Sequence, residues 1–259
     1  MDFLKKCNEN PYADLKWNIP EQKQGTVAIV GGNLQNFRTP IKVAEFLIRT
    51  YPIEAARVIL PDALKTKLPG LPDLVFLSST ESGSLANDTE LASAIAQTDI
   101  AMVVGDLSRN NITARVLTKT CRNTVQRMVI TRDAVDLLSS EIGDDVLMNE
   151  NLILIATMAQ LQKLLRAIYY PKMLMMTQPL TQVAETLHKF TLSYPVKIIT
   201  LHNEQVLIAE NGEVAAVPLE KSGYSPLTLW GGEFAAKITA YNMFNPGNFF
   251  SASICATYV

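Results

Sequence analysis

The sequence is poor in the residues from which metal sites and disulfide frameworks are built. Its 259 residues include three cysteines and two histidines. The cysteines, Cys7, Cys121 and Cys255, lie far apart and without CxxC spacing, which excludes a disulfide framework and a structural zinc site and is typical of a reducing cytoplasm. His188 and His202 have no acidic cluster nearby, so we expect no metal site.

Charge of one sign and long hydrophobic runs are also scarce. Twenty-three Lys and Arg against 25 Asp and Glu leave a net charge of −2 without charged tracts, so bulk charge predicts neither nucleic-acid nor membrane-surface binding. The most apolar segment, Leu152–Leu161, is too short to span a membrane. The first residues lack the pattern of a signal peptide. These features predict a cytoplasmic protein.

Apolar residues make up 48% of the chain, and they recur as short runs that alternate with longer amphipathic segments. The short runs predict buried parallel strands, and the amphipathic segments predict the helices that connect them. The predicted strands are Thr26–Val30, Arg57–Leu60, Leu74–Leu77, Ile100–Val104, Met128–Thr131 and Leu152–Ile155. The predicted helices are 41–51, 90–96, 111–121, 134–140, 158–168, 181–192 and 233–244. This order indicates an α/β fold with a doubly wound, mostly parallel sheet.

From Lys197 onward the hydrophobic pattern of the sequence changes. Apolar and polar residues alternate there, and Asn211-Gly212 separates two such runs, which predicts a late antiparallel hairpin. The final apolar segment, Phe249–Val259, is compatible with core, with an interface strand or with an interface helix. Because no linker divides the chain, we expect an N-terminal extension over residues 1–24 and one domain over 25–259.

Two glycine pairs are candidate phosphate cradles. Gly31-Gly32-Asn33 follows the first predicted strand, where backbone amides can approach an anion, but a tight turn explains the pair equally well. A dinucleotide fingerprint is absent, which argues against a Rossmann dehydrogenase. Gly231-Gly232-Glu233 opens the predicted helix 233–244, where free amides could hold an anion and the carboxylate could act as a general base. The alternative is that Glu233 only complements the helix dipole.

The order of these segments resembles the ribokinase-like superfamily, and within it the ADP- or ATP-dependent NAD(P)H-hydrate dehydratases. The resemblance covers about Gly25 to Val259 and rests on partial motifs. The family's Gly-Gly turn and Gly-Ala-Pro correspond to 31–33 and 38–40, and its Gly-Pro-Gly-Leu-Gly to 105–109. Its Asp-Ala-Asp-Ala-Leu corresponds to 131–135, and its last motif, Gly-x-Gly-Asp, to Trp230-Gly231-Gly232-Glu233. The resemblance implies a three-layer α/β ribokinase-like domain.

Four departures weaken the match with the family's chemistry. The family's Thr-Pro-His-Pro-Gly-Glu falls on Ile155–Gln160, where no histidine or carboxylate remains, and its Lys-Gly falls near Leu201-His202, without the lysine. Trp230 stands where the family has glycine and could block the phosphate position. Glu233 replaces an aspartate and moves the carboxylate by one methylene.

The resemblance implies a divergent NAD(P)H-hydrate dehydratase that binds ADP or ATP, with Mg²⁺ and an NAD(P)H hydrate as candidate cofactor and substrate. Glu233 would be the general base, and the amides of Gly231 and Gly232 would hold the phosphate. Substrate contacts would come from Gly32, Asn33, Gly105, Asp106 and Asp133. Two alternatives stay open: a non-catalytic ribokinase-fold pseudoenzyme that serves as a binding or homo-oligomerisation module, and a small-molecule kinase that uses Mg-ATP.

Two further interpretations concern residues outside these motifs. His188 is expected on the solvated side of a helix, and His202, at a strand end, is expected to be structural or to reach a ligand. Met173, Met175 and Met176 form an apolar stripe that is expected to lie in the core, with an oligomer contact as the alternative.

Overall fold

A computed structural model describes residues 3–68 and 73–258. Within these ranges ten strands form one mixed sheet in the order β1-β10-β9-β8-β7-β6-β5-β2-β3-β4. They are β1 Leu4–Lys6, β2 Thr26–Gly31, β3 Ala55–Pro61, β4 Leu74–Leu77, β5 Ile100–Gly105, β6 Arg127–Thr131, β7 Leu152–Ile155, β8 Lys197–His202, β9 Gln205–Glu210 and β10 Glu213–Pro218. Strands β2 to β8 are parallel to one another.

Helices cover both faces of this sheet, so the described part of the chain has three layers. They are α1 Arg38–Thr50, α2 Asp88–Ile95, α3 Asn111–Asn123, α4 Asp133–Ser139, α5 Asp144–Leu147, α6 Met158–Ala167, α7 Leu180–Ser193, α8 Glu233–Phe244 and α9 Phe249–Thr257. Helices α2 to α7 enclose one apolar core, and α1, α8 and α9 enclose the other. The predicted three-layer α/β architecture with a mostly parallel sheet is confirmed.

The six predicted parallel strands are all present, within two residues of their predicted ends. Their side chains are apolar on both faces because helices cover both sides of the sheet. All six residues of β5 are buried, for example. Strand β2 pairs with β3 on one side and with β5 on the other, so the chain changes direction across the sheet between β2 and β5. Ligands of open α/β sheets bind at such a switch point, outside the carboxyl ends of the strands. We call this side of the sheet the carboxyl edge and the opposite side the amino edge.

The antiparallel part of the sheet contains two tight turns, of which the sequence pattern predicted one. The predicted turn at Asn211-Gly212 joins β9 to β10, with φ values of 47° and 81°. A second turn, at Asn203-Glu204, joins β8 to β9, with φ values of 47° and 57°. Glutamate is unusual at positive φ, so this second turn leaves no strong signal in the sequence.

Both ends of the described chain pack onto the domain. Strand β1 pairs in parallel with β10 at the end of the sheet. Residues 249–257 form the buried helix α9, and Tyr258 donates its hydroxyl to the carbonyl oxygen of Cys7 at 2.5 Å. The final apolar segment is therefore core over residues 249–258, and Val259 lies outside the described residues. None of the described helices is long and apolar enough to cross a membrane.

The core position expected for three methionines and the solvated position expected for His188 are both wrong. Met173, Met175 and Met176 are 50%, 50% and 67% exposed, because the segment between α6 and α7 runs over the surface. His188 is half-buried rather than solvated. Its ring stacks on Phe3 at a centroid distance of 4.3 Å, and its Nδ1 contacts the carbonyl oxygen of Gly212. Both partners come from segments distant in sequence, which helical periodicity does not reveal.

Candidate functional site

The loops after β2 and β5 meet at the switch point and are bonded to each other. The amide of Gly32 donates to the carbonyl oxygen of Gly105 at 3.0 Å, and the amide of Asn33 donates to that of Asn36 at 2.7 Å. The side chain of Asn33 donates to the carbonyl oxygen of Asp106 at 2.6 Å. Because protein oxygens accept the amides of Gly32 and Asn33, this glycine pair forms a tight turn whose amides are not free for an anion.

Gly105 is required by the close approach of Asp133. Its φ is +83°, and a Cβ at this position would lie 1.9 Å from Oδ1 of Asp133. That same oxygen accepts the amide of Asp106 at 2.9 Å. Burial, assisted by the negative charge of Asp106, raises the pKa of Asp133. Asp133, the first residue of α4, therefore positions the Gly105-Asp106 loop.

Arg132 lies between the loop after β5 and the start of α8, and it is not among the sequence-predicted site residues. One terminal nitrogen, Nη2, donates to Oδ1 of Asp106 at 3.1 Å, and Nη1 lies 3.5 Å from the carbonyl oxygen of Gly231. The Nε atom is buried and has no hydrogen-bond partner. The only signal for this residue in the sequence is a cation that directly follows an apolar strand.

Gln160 holds the backbone of Arg132. Its side-chain nitrogen Nε2 donates to the carbonyl oxygen of Arg132 at 2.7 Å and to Oδ2 of Asp136 at 2.8 Å. The side chain of Gln160 also completes a capping box with Thr157 at the start of α6. The segment that lacks the histidine and carboxylate of the related motif therefore contributes an amide that fixes the Arg132 loop.

The segment Trp230–Glu233 brings the start of α8 to the same edge. Gly232 has φ +110°, and a Cβ there would lie 3.1 Å from Cγ2 of Val43 in α1. Apart from its chain neighbours and the backbone of its own helical turn, no heavy atom lies within 4 Å of the position that a Cβ on Gly231 would take, and Gly231 is exposed, so the space beside it is open. Trp230 is half-buried and packs against the core enclosed by α1, α8 and α9. Glu233 is the first residue of α8, and its side chain is exposed.

The structure thus gathers the sequence-predicted site residues at one edge. Gly32, Asn33, Gly105, Asp106 and Asp133 form one bonded network around the ends of β2, β5 and β6. Arg132 extends this network to Gly231. Gly232 and Glu233 follow directly at the start of α8.

His202 ends β8 at the carboxyl edge and is only 1% exposed. Its Nε2 lies 2.8 Å from the carbonyl oxygen of Gln178, which can only accept, so Nε2 carries the proton. Its Nδ1 and the hydroxyl of the neighbouring Thr200 are buried without partners. These contacts favour a structural role for His202, which holds the segment between α6 and α7 through the carbonyl oxygen of Gln178.

No group of three or more metal-ligating side chains occurs in the part of the chain that the structure describes. One carboxylate oxygen of Asp106 and one of Asp133 already have protein partners, since Nη2 of Arg132 donates to Oδ1 of Asp106 and the amide of Asp106 donates to Oδ1 of Asp133. A divalent cation here would have to take most of its ligands from a bound phosphate or from water.

Neither a protein-family profile nor a curated protein sequence matches the chain. Solved structures do. A ribokinase-like superfamily protein from Enterococcus faecalis V583 matches with a TM-score of 0.70 and 16% identity, over 100% of this chain and 86% of that chain. The fold is ribokinase-like.

Two further structures share this ribokinase-like fold. The ADP/ATP-dependent NAD(P)H-hydrate dehydratase from Bacillus subtilis, co-crystallised with ATP/Mg²⁺ and soaked with CoA, has a TM-score of 0.60 and 11% identity over 94% of this chain and 83% of that chain. Pyridoxal kinase from Staphylococcus aureus, in complex with AMP-PCP and pyridoxal, has a TM-score of 0.51 and 12% identity over 92% and 86%. At identities this low, the structural matches establish the fold alone. They confirm the predicted resemblance at the level of the fold.

Proposed function

We propose that this chain binds an adenine nucleotide, ADP or ATP, in the crevice between the Gly105-Asp106 loop and the start of α8. The open space beside Gly231 is the observation that carries the proposal, because it leaves room for a phosphate at a twelve-residue helix N-terminus. The half-buried Trp230 packs against the core enclosed by α1, α8 and α9, which supports the proposal that its ring leaves this position accessible. Similar structures with bound ATP/Mg²⁺ and AMP-PCP support the choice of ligand.

The test is a thermal-shift titration with ADP, ATP, AMP, NADH and NADPH, with and without magnesium. A ligand at 100 times its Kd adds about 2.7 kcal/mol to the free energy of unfolding, which raises Tm measurably. We expect a saturable shift with ADP or ATP. If none of the five ligands shifts Tm, the nucleotide site is refuted.

For activity, we propose dehydration of an NAD(P)H hydrate coupled to nucleotide hydrolysis. Glu233 would act as general base toward a hydroxyl group of the bound substrate, since it is exposed at the start of α8 and follows the two glycines of the phosphate site. Gly32, Asn33, Gly105, Asp106 and Asp133 would line the substrate side. Any magnesium would be bound through the nucleotide phosphates, and no step requires the protein to hold it alone.

Glu233→Gln tests this role directly. We expect it to lower turnover by about 10²–10⁴-fold with an unchanged Tm, because the change removes the base and leaves the exposed helix start intact. Glu220→Gln, at another exposed glutamate, is the matched control and should retain full activity. Unchanged turnover in the Glu233 variant would remove this residue from the mechanism.

The pseudoenzyme alternative also has an observation in its favour. The amides of Gly32 and Asn33 bond to protein oxygens, and Asp133 is engaged by the amide of Asp106, so several groups expected to meet substrate have protein partners instead. A nucleotide-induced thermal shift without hydrate turnover or phosphoryl transfer would favour this alternative. Phosphorylation of a small-molecule hydroxyl without dehydration would favour the kinase.

A further inference from the structure

Arg132 has a backbone conformation that residues other than glycine rarely adopt. Its φ and ψ are 57° and −141°, in a region that glycine tolerates far better than any other residue. The conformation is held from both sides, since Gln160 binds its carbonyl oxygen and α4 begins at the next residue. It turns the side chain from the end of β6 into the crevice between Asp106 and Gly231.

The guanidinium of Arg132 retains unused hydrogen-bonding capacity. Of its five N–H donors, one bonds to Asp106 at 3.1 Å, and a second has a long contact of 3.5 Å to the carbonyl oxygen of Gly231. The Nε donor is buried without an acceptor. A bidentate pair with a carboxylate would use two parallel bonds, whereas Asp106 accepts with one oxygen.

If a phosphate binds in this crevice, a cation is needed to offset the negative charge of the surrounding carboxylates. Asp106 lies on the loop after β5, Asp133 and Glu233 are the first residues of α4 and α8, and carboxylates repel a phosphate. Arg132 contacts both the Asp106 loop and the Gly231 loop. Its planar, permanently charged donor group matches the geometry of a phosphoryl anion.

We propose that Arg132 is an anion-binding residue that takes a phosphoryl group beside Gly231, exchanging its long contact with the Gly231 carbonyl for the bound phosphate. Asp106 then competes with the ligand for the guanidinium and lowers anion affinity. The proposal rests on the proposed function in taking the phosphate chain of a nucleotide as the source of the anion. A free phosphate or pyrophosphate offers the same chemistry, so the experiment compares these sources.

The experiment measures binding by titration calorimetry, with ADP, pyrophosphate and adenosine as probes. We expect Arg132→Gly to fold, because glycine tolerates the positive φ, and to weaken ADP and pyrophosphate at least tenfold without changing the affinity for adenosine. Asp106→Asn should tighten ADP severalfold. Arg49→Gln removes the same charge from the exposed last turn of α1 and serves as the matched control, with unchanged binding. Arg132→Lys keeps the charge without the planar fork and should bind ADP with intermediate affinity.

The outcomes separate the two proposals. Equal ADP affinity in the wild type and Arg132→Gly would overturn the role of Arg132 and leave the nucleotide site standing. Pyrophosphate binding that depends on Arg132, together with no binding of ADP, would support Arg132 and overturn the nucleotide site. If the wild type binds neither anion, both proposals fall. An Arg132→Gly protein that unfolds, with an Arg132→Lys protein that binds ADP like the wild type, would show a structural role and overturn the inference.

Discussion

The two edges of the parallel sheet use their charged residues differently. At the amino edge, a polar cavity of about 550 Å³ is lined in part by Arg127, Lys197 and Glu210. Arg127 donates to the carbonyl oxygen of Asn242 near the end of α8, and Glu210 accepts the amide of Phe250 near the start of α9. Lys197 lies 3.5 Å from Glu210. These charges stabilise helix ends and one another, so a structural role accounts for the charged residues of this cavity.

The carboxyl edge differs in its unsatisfied polar atoms. Both edges contain non-glycine residues at positive φ, such as Asn211 at the amino edge and Asp106 and Arg132 at the carboxyl edge, but at the carboxyl edge Nε of Arg132 and Nδ1 of His202 are also buried without partners. Backbone strain and unsatisfied polar atoms reduce stability, and they collect at sites where a ligand can offset them. Unsatisfied hydrogen-bonding groups, rather than cavity volume, therefore mark the candidate site.

The largest expected effect on stability comes from substituting a glycine at the carboxyl edge. Gly105→Ala should lower the free energy of unfolding by about 3–5 kcal/mol, since the new Cβ would lie 1.9 Å from Asp133 Oδ1 at a positive φ. Urea denaturation measures this loss. The matched variant, Gly231→Ala, adds its methyl group to open space and should change stability by less than about 0.5 kcal/mol while weakening ADP binding. Equal stability of the two variants would contradict the described geometry.

A smaller effect is expected at the amino edge. Lys197→Met leaves Glu210 half-buried without its cation. We expect this variant to lower the free energy of unfolding, measured by urea denaturation, by about 1–3 kcal/mol. Burial already raises the pKa of Glu210, an effect that Lys197 opposes, so the variant should raise this pKa further. Lys5→Met, which breaks the exposed pair with Glu213, should cost less than about 1 kcal/mol. Reduced ADP affinity in the Lys197 variant would break the proposed division between the edges.

The smallest expected effect on stability concerns the difference between the two tight turns, one at each edge. Asn211-Gly212 at the amino edge has glycine at its second position, whereas Asn203-Glu204 at the carboxyl edge places an exposed glutamate at φ 57°. Glu204→Gly should therefore stabilise the protein by up to about 1 kcal/mol, the relief of strain being partly offset by the greater freedom of the unfolded chain. Thermal unfolding measures the gain. A lower Tm would mean that the Glu204 side chain stabilises the turn.

Much of the fold could be predicted because its signals are local. Strand β7 and helix α8 have the predicted bounds, since an apolar run bounded by polar residues or a glycine pair before an apolar helix is readable within a few residues. Strand β1 was not predicted, because three residues become a strand only by pairing with β10. The exposure of Met173 and the contact of His188 with Phe3 likewise depend on distant segments.

The candidate site divides in the same way. The order of strands and the glycine pairs located Gly31–Asn33, Gly105-Asp106, Asp133 and Gly231–Glu233 at strand and helix ends, which parallel topology brings to one edge. Arg132 and Gln160 carried no comparable signal. Arg132 acts on Gly231, 99 residues away, and Gln160 acts on Arg132 across 28 residues.

The sequence by itself determined the α/β class, the strand positions and the edge at which polar loops gather, because hydrophobic periodicity and turn chemistry act over a few neighbouring residues. Only the tertiary structure decided which of the gathered groups remain available. It bonded the amides of Gly32 and Asn33 to protein oxygens, left space beside Gly231 and brought Arg132 to the carbonyl oxygen of Gly231. Hydrogen-bond partners are assigned by packing between distant segments, and a local pattern cannot show which donors packing leaves unsatisfied.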